Sequence, residues 1–224
     1  MNVNILDPVK LIPSIPRESR LDLLKWIAVL TMVIDHIGYV FYPNVSEFRM
    51  IGRLAYPIFA YLIAEGSVRT SNKRKYLERL LLFAFISQIP YMLVFQTLQP
   101  NILFTLVIGL YFIQMTWYRF GILVLVGLFL PLDYEWWGLL LPPLFVYCRE
   151  RKVFGFVLIS SLTLAYALTT GMLIQLFAIV GLLLIYGLPA FKGMRVPVVN
   201  RWFFYWFYPV HLLLLFLLSF LKYS

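Results

Sequence analysis

Two histidines are the side chains of this 224-residue sequence best suited to take a proton near neutral pH, and both sit in apolar runs. His36 lies in "TMVIDHIGYVF", directly after Asp35, and His211 lies in "FYWFYPVHLLLL", two residues after Pro209. Neighbours on a helix point about 100° apart, so Asp35 does not readily touch the His36 ring. Asp35 is expected to engage another helix, with Arg53 as its partner. His36 would then be a base whose orienting acid comes from elsewhere, Asp133 being one option. The sequence carries no serine nucleophile motif, metal-ligand spacing or glycine-rich phosphate loop, and no metal is expected. Direct transfer assisted by a base suits this inventory better than a covalent enzyme or a metalloenzyme.

The elements that position these groups are membrane helices. Hydrophobic residues make up 62% of the chain and charged ones only 13%, about half the share in a soluble domain. Runs such as "FGILVLVGLFL" and "HLLLLFLLSFL" do not alternate as barrel strands would. The pattern predicts an all-α, polytopic bundle of about nine spans, near residues 22–42, 48–68, 75–95, 102–116, 119–131, 136–148, 153–169, 172–187 and 203–221. Residues 1–20 read as a cytoplasmic N-terminal segment and 21–224 as one membrane domain, its first span uncleaved. Cys148 is the one cysteine, which excludes a disulfide framework within the chain.

Charge sets the expected orientation. Lys10, Arg17 and Arg20 precede the first span, and Arg69, Lys73, Arg74, Lys75 and Arg79 follow the second. Arg119, then Arg149, Arg151 and Lys152, then Lys192, Arg195 and Arg201 occupy later even-numbered loops. By the positive-inside rule the N-terminus is cytoplasmic and the protein is a multi-pass protein of the inner (cytoplasmic) membrane. This accounts for the net charge of +9 without nucleic acid as a partner. As a functional alternative, the basic loops would hold an anionic cytosolic ligand such as a phosphorylated cofactor.

Counted at about 1.5 Å per residue, His36 falls about 21 Å along its helix, in the outer half of the bilayer. Arg53, Gln88, Asn101, Thr105 and Asp133 map to a similar depth, and His211 lies near the middle. Glu65 is the exception, near the cytoplasmic end of its span. Pro57, Pro90, Pro142 and Pro209 break helical bonds in spans that carry polar groups, as helices around a shaped cavity do. Bland readings stand beside the functional ones: Asp35 and Arg53 as an ion pair pinning two spans, and Tyr205, Tyr208 and His211 as interfacial residues. A small transporter or flippase using the same buried polar cluster is the alternative function, and a non-catalytic assembly partner a third. No inverted halves are visible, which weighs against the transporter.

"LDLLKWIAVLTMVIDHIG", "RMIGRLAYPIFAYLIAEGSVRTSNKRKYLERLLLFAFISQIPY", "NILFTL", "LDYEWWG" and "FYWFYPVHLLLL" closely resemble, in order and spacing, the TraX family, whose members are named for the N-acetylase of F-type pilin. The resemblance spans about residues 21–218 and extends distantly to the wider transmembrane acyltransferases. It implies an integral membrane acetyltransferase with acetyl-coenzyme A as acyl donor from the cytosol and His36 as base beside Asp35 and Arg53. It implies that Glu65, Gln88, Asn101, Thr105, Asp133 and His211, with Tyr208 in the same cluster, line the rest of the site. The donor's phosphates are expected near some of Arg69, Arg74, Arg149, Arg151 and Lys152. The acceptor is expected to be a peptide amine, a glycan hydroxyl or a lipid headgroup, with Trp136 and Trp137 shaping its entry and membrane lipid around the bundle.

Overall fold

The computed structural model describes residues 19–113, 121, 125, 127–187, 197, 198 and 200–223. Among these residues the chain forms helices and no strand. They are α1 (Ser19–Phe41), α2 (Ser46–Gly52), α3 (Ala55–Arg69), α4 (Lys73–Phe95), α5 (Ile102–Phe112) and α6 (Glu135–Tyr147). Then follow α7 (Lys152–Thr170), a 3-10 turn (Leu173–Phe177), α8 (Ala178–Gly187) and α9 (Arg201–Tyr223). The expected charges at Lys10, Arg17, Arg119, Lys192 and Arg195, and part of the expected span 119–131, lie outside the described residues.

Among the described residues four helices are long and apolar enough to cross a membrane: α1, α4, α7 and Trp202–Lys222 of α9. The other expected spans are shorter. α3 has 15 residues and α6 has 13, or about 22 and 20 Å against a hydrocarbon core of about 30 Å. α5 has 11 residues and α8 has 10. The described residues therefore form four long helices and several short ones rather than nine equal crossings. Ile58 and Ala60 of α3, Trp137 and Leu141 of α6, and Leu182 and Ile185 of α8 are fully buried together. The long helices bring apolar side chains to the exterior, such as Phe85 and Ile89 of α4 and Phe220 and Leu221 of α9, the faces that lipid covers.

The expected second span, 48–68, is broken. Arg53 and Leu54 form a turn between α2 and α3, with Leu54 N–H reaching back only three residues to Ile51 O at 3.2 Å. Pro57 explains the break, because it lacks the N–H that would bond the Arg53 carbonyl. Arg53 therefore stands at a helix junction, not within a continuous span. Side-chain caps fix other ends: Asn72 accepts from Lys75 N–H at 2.8 Å and Asn101 from Leu103 N–H at 3.0 Å. Gly171, at φ 70°, ends α7 in the left-handed conformation that favours glycine.

Helices α1 and α2 approach so closely that two glycines have no room for a side chain. A Cβ at Gly38 would lie 2.2 Å from Phe48 Cβ, and one at Gly52 would lie 2.0 Å from Asp35 Oδ1 and 2.4 Å from Asp35 Cβ. The second contact sets the position of Asp35 against the α2–α3 junction. Alanine in a helix is ordinarily worth up to about 1 kcal/mol over glycine, but here overlap with Asp35 Cβ forces the helices apart. Gly52→Ala is expected to destabilise the protein by about 1–3 kcal/mol, read as a lower thermal midpoint in detergent. A midpoint equal to or above the wild type's would mean that the junction is not tightly packed.

Candidate functional site

His36 and His211, 175 positions apart in sequence, meet edge to edge. His36 Nδ1 lies 2.8 Å from His211 Nε2, the rings being coplanar within 4°. His211 Nδ1 lies 2.8 Å from the carbonyl oxygen of Phe207. A carbonyl only accepts, so His211 Nδ1 carries the hydrogen and donates. The neutral His211 ring then has a bare Nε2, which accepts from His36 Nδ1–H. That leaves Nε2 of neutral His36 with its lone pair and no hydrogen-bond partner among the described residues. The orienting partner of His36 is thus a histidine and not the acid expected from the sequence. Phe95 closes the other side, its ring edge-on to His36 at 5.2 Å.

Asp35 also has a different partner from the one expected. Arg49 NH1 donates to Asp35 Oδ2 at 2.8 Å, whereas Arg53 NH1 donates to the Tyr134 hydroxyl at 3.2 Å. The helix break is the reason: α2 lays Arg49 alongside α1, and the turn after it swings Arg53 towards the Asp133–Tyr134 segment. The sequence alone does not distinguish Arg49, whose charge nearby Glu47 balances. Its four-residue spacing from Arg53, one helical turn, was the signal available.

Asp133 precedes α6 in a turn whose next two residues, Tyr134 at φ 61° and Glu135 at φ 46°, are both left-handed. Each costs on the order of 1–2 kcal/mol in a non-glycine residue, so surrounding contacts must impose them. Thr105 Oγ1 donates to Asp133 O at 3.2 Å, and Tyr56 OH to Gly138 O at 2.7 Å. Tyr91 OH donates to the Asp133 carboxylate at 3.2 Å. Burial pushes the carboxyl of Asp133 up to about 6, the Tyr91 hydrogen bond and the nearby Arg53 and Arg49 opposing the shift. Trp137 is fully buried and donates from Nε1 to Thr163 Oγ1 at 3.1 Å. It is a packing residue and does not shape an entry, and Trp136 stacks edge-on to Tyr166 rather than facing the cavity.

These groups surround one cavity of about 940 Å³, at the upper end of small-ligand sites. Asp35, His36, Arg49, Arg53, Asp133 and Tyr208 line it. So do Tyr39, Tyr91, Tyr134, Tyr166 and Glu135, which the sequence does not single out; the tyrosines, as aromatic residues in or beside apolar runs, resemble ordinary core. The cavity continues past Met32, Phe59, Leu62 and Leu106 to Lys25, Gly66 and Tyr76. From Lys25 to Tyr39 is about 21 Å of helix, so the cavity runs along much of the bundle. Lys25 pairs with Asp22 at 2.9 Å at that end.

Five expected lining residues stand behind the wall. Gln88 accepts from Asn101 N–H and Nδ2, at 2.9 and 2.8 Å, and Asn101 Nδ2 also donates to Ala84 O. Both thus tie α4 to the start of α5, as Thr105 ties α5 to Asp133. His211 supports His36 from outside the cavity. Glu65, at the opposite end, receives Arg69 Nε and Arg149 Nε, each at 3.1 Å. Arg149 NH1 also lies 3.8 Å from the Glu150 carboxylate, so two guanidiniums meet two carboxylates at that corner. Arg74 pairs with Glu78 at 2.8 Å on the surface, and Arg151 and Lys152 stand exposed at the start of α7. Arg69, Arg74, Arg149, Arg151 and Lys152 do not line the cavity.

Residues 20–219 match the family model described as TraX protein. The chain is similar to the probable fimbrial assembly protein FimC, serogroup H1, of Dichelobacter nodosus: 30% identical over 236 residues, covering 86% of this chain and 92% of that protein. It is also similar to uncharacterized protein RP591 of Rickettsia prowazekii (strain Madrid E), 38% identical over 89 residues, which are 39% of this chain and 34% of that one. No solved structure matches.

The pairing of Asp35 is open to a double-mutant cycle. Asp35→Asn with Arg49→Gln is expected to show a coupling energy of at least about 1 kcal/mol, and Asp35→Asn with Arg53→Gln a smaller one. Thermal or denaturant unfolding in a fixed detergent supplies the values. The reverse order of couplings would restore Arg53 as the principal partner.

Proposed function

The chain belongs to the TraX family, and from that premise we propose that it is an integral membrane acetyltransferase. It moves an acetyl group from cytosolic acetyl-coenzyme A to an amine or hydroxyl at the outer face of the membrane. His36 is the base. The observation that carries this reading is the His36–His211–Phe207 chain, which leaves a lone pair on His36 Nε2 in the wall of a long cavity.

Acetyl-coenzyme A supplies the acetyl group as a reactive thioester. The acceptor's nitrogen or oxygen attacks the thioester carbonyl carbon, the new bond forms, and the carbon–sulfur bond breaks. His36 Nε2 takes the acceptor's proton and hands it to the departing sulfur, so coenzyme A leaves as the thiol and the imidazole is neutral again. Throughout, His36 Nδ1–H continues to donate to His211 Nε2, holding the ring in one orientation. An apolar midsection of Met32, Phe59, Leu62 and Leu106 suits a narrow acyl-bearing arm and keeps bulk water from the thioester. The basic cluster at that end, Arg69 and Arg149 at Glu65 with Arg151 and Lys152 just after Arg149 in the chain, suits the donor's phosphates. The fimbrial assembly role in the name of the Dichelobacter relative favours a protein acceptor.

In this reading the N-terminus is cytoplasmic, about nine crossings are made with the help of the short helices, and the membrane is the inner one. Residues 70–78, rich in lysine and arginine, then face the cytosol. A cysteine introduced at Ser71 should stay unlabelled by an impermeant thiol reagent in intact cells and react after permeabilisation. Labelling from outside would reverse the topology.

His36→Ala is expected to lower kcat by about 10²–10⁴-fold, as for a lost general base, with coenzyme A binding retained. His211→Ala should lower kcat less, because it removes the support and leaves the base. Steady-state assays with labelled acetyl-coenzyme A measure both. A folded His36→Ala protein with wild-type kcat would end the role of His36.

A further inference from the structure

Lys25 lines the cavity at the end away from Asp133, and no step of the transfer uses it. The described lining holds two other cations, Arg49 at Asp35 and Arg53 at Tyr134, both towards the opposite end. The lining acids, Asp35, Asp133 and Glu135, belong to that opposite end too. Two contacts fix the Lys25 ammonium: Asp22 Oδ1 at 2.9 Å and the Phe204 ring, whose centroid is 5.5 Å away. Phe204 also lines the cavity, whereas Asp22, 3% exposed, does not. The ion pair therefore turns its positive member to the cavity and keeps its acid behind the wall. An ammonium carries three hydrogens, so its bond to Asp22 leaves capacity for an anionic ligand.

Helix α1 sets the distance from this cation to the base. Lys25 and His36 are eleven residues apart, about 16 Å of helix and within about 20° of one face. Val29 and Met32 lie between them on that face and also line the cavity, so the stripe is continuous. In coenzyme A about thirteen bonds separate the sulfur from the nearest phosphorus, about 16 Å when extended like a polypeptide backbone. The arm thus reaches from a thioester beside His36 to a phosphate at Lys25. A hydrogen bond of about 3 Å at each end takes up the lean of the ammonium towards Asp22. The basic residues around Glu65 do not line the cavity, which leaves this inner phosphate to Lys25.

We propose that Lys25 binds the phosphate that adjoins the donor's pantetheine arm, so that α1 measures the donor from phosphate to thioester. The proposal rests on the acetyltransferase reading and names the residue that sets the register of the donor. Lys25 exchanges no proton and touches neither the acceptor nor the reacting carbon. It holds one end of the arm, and the fixed length of arm and helix delivers the other end to His36. A thioester without the phosphate fits the same cavity but has nothing to stop it sliding along the apolar midsection.

The test uses the full-length protein in phosphatidylcholine nanodiscs and reads displacement of labelled coenzyme A by 4′-phosphopantetheine and by pantetheine. The ratio of the two dissociation constants isolates the phosphate, because a general loss of binding cancels. In the wild type phosphopantetheine should bind at least about tenfold more tightly, the share of one charge-assisted bond. Lys25→Met should bring the two constants together, and Lys25→Arg should keep them apart. Lys25→Gln stands in if the methionine variant does not fold. If Lys25 only neutralises Asp22 or holds a lipid phosphate, Lys25→Met leaves the wild-type ratio unchanged, and the proposal is overturned. Equal constants in the wild type overturn it as well. Failure of the wild type to bind coenzyme A at all would instead overturn the acetyltransferase reading beneath it.

Discussion

The contact between Asp35 and the α2–α3 junction is the constraint from which the site's geometry follows. Gly52 lets α2 come within side-chain contact of α1, and Asp35 fills the space that any larger residue would need. Its carboxylate is then met by Arg49 at 2.8 Å. A carboxylate at this depth is tolerable only with a cation beside it. Once Arg49 takes that role, Arg53 is released to the next turn and reaches Tyr134. Removing the helix break would put both arginines on one continuous face, leaving the Asp133 segment without its cation.

The second layer shows how a membrane bundle holds polar groups that do no chemistry themselves. Asn101, Gln88 and Thr105 connect α4, α5 and the Asp133 turn through hydrogen bonds of 2.8–3.2 Å. Those bonds impose two consecutive left-handed residues, Tyr134 and Glu135, at the rim of the cavity. Strain of this kind persists where surrounding structure overdetermines it, and it clusters at functional sites. His211 acts similarly on His36, fixing which ring nitrogen is bare. Towards the other end Glu65 joins α3 to the segment before α7 through Arg149, with Arg69 of its own helix on the same carboxylate.

Composition and periodicity determined that this chain is a helical membrane protein, because hydrocarbon admits few charges and excludes unpaired backbone. The blocks around "DHIG", "IGRLAYPIFAYLIAEG" and "FYPVHLLLL" determined its family, since buried polar residues at fixed spacing carry a specific pattern. Depth along each helix was also legible, which placed His36, Arg53 and Asp133 at one level. Azimuth was not. Which face of a helix meets which neighbour depends on packing between distant segments, and only the tertiary structure decided that His36 faces His211 and Asp35 faces Arg49. The break after Gly52 was written in Pro57, yet hydropathy ran straight through it.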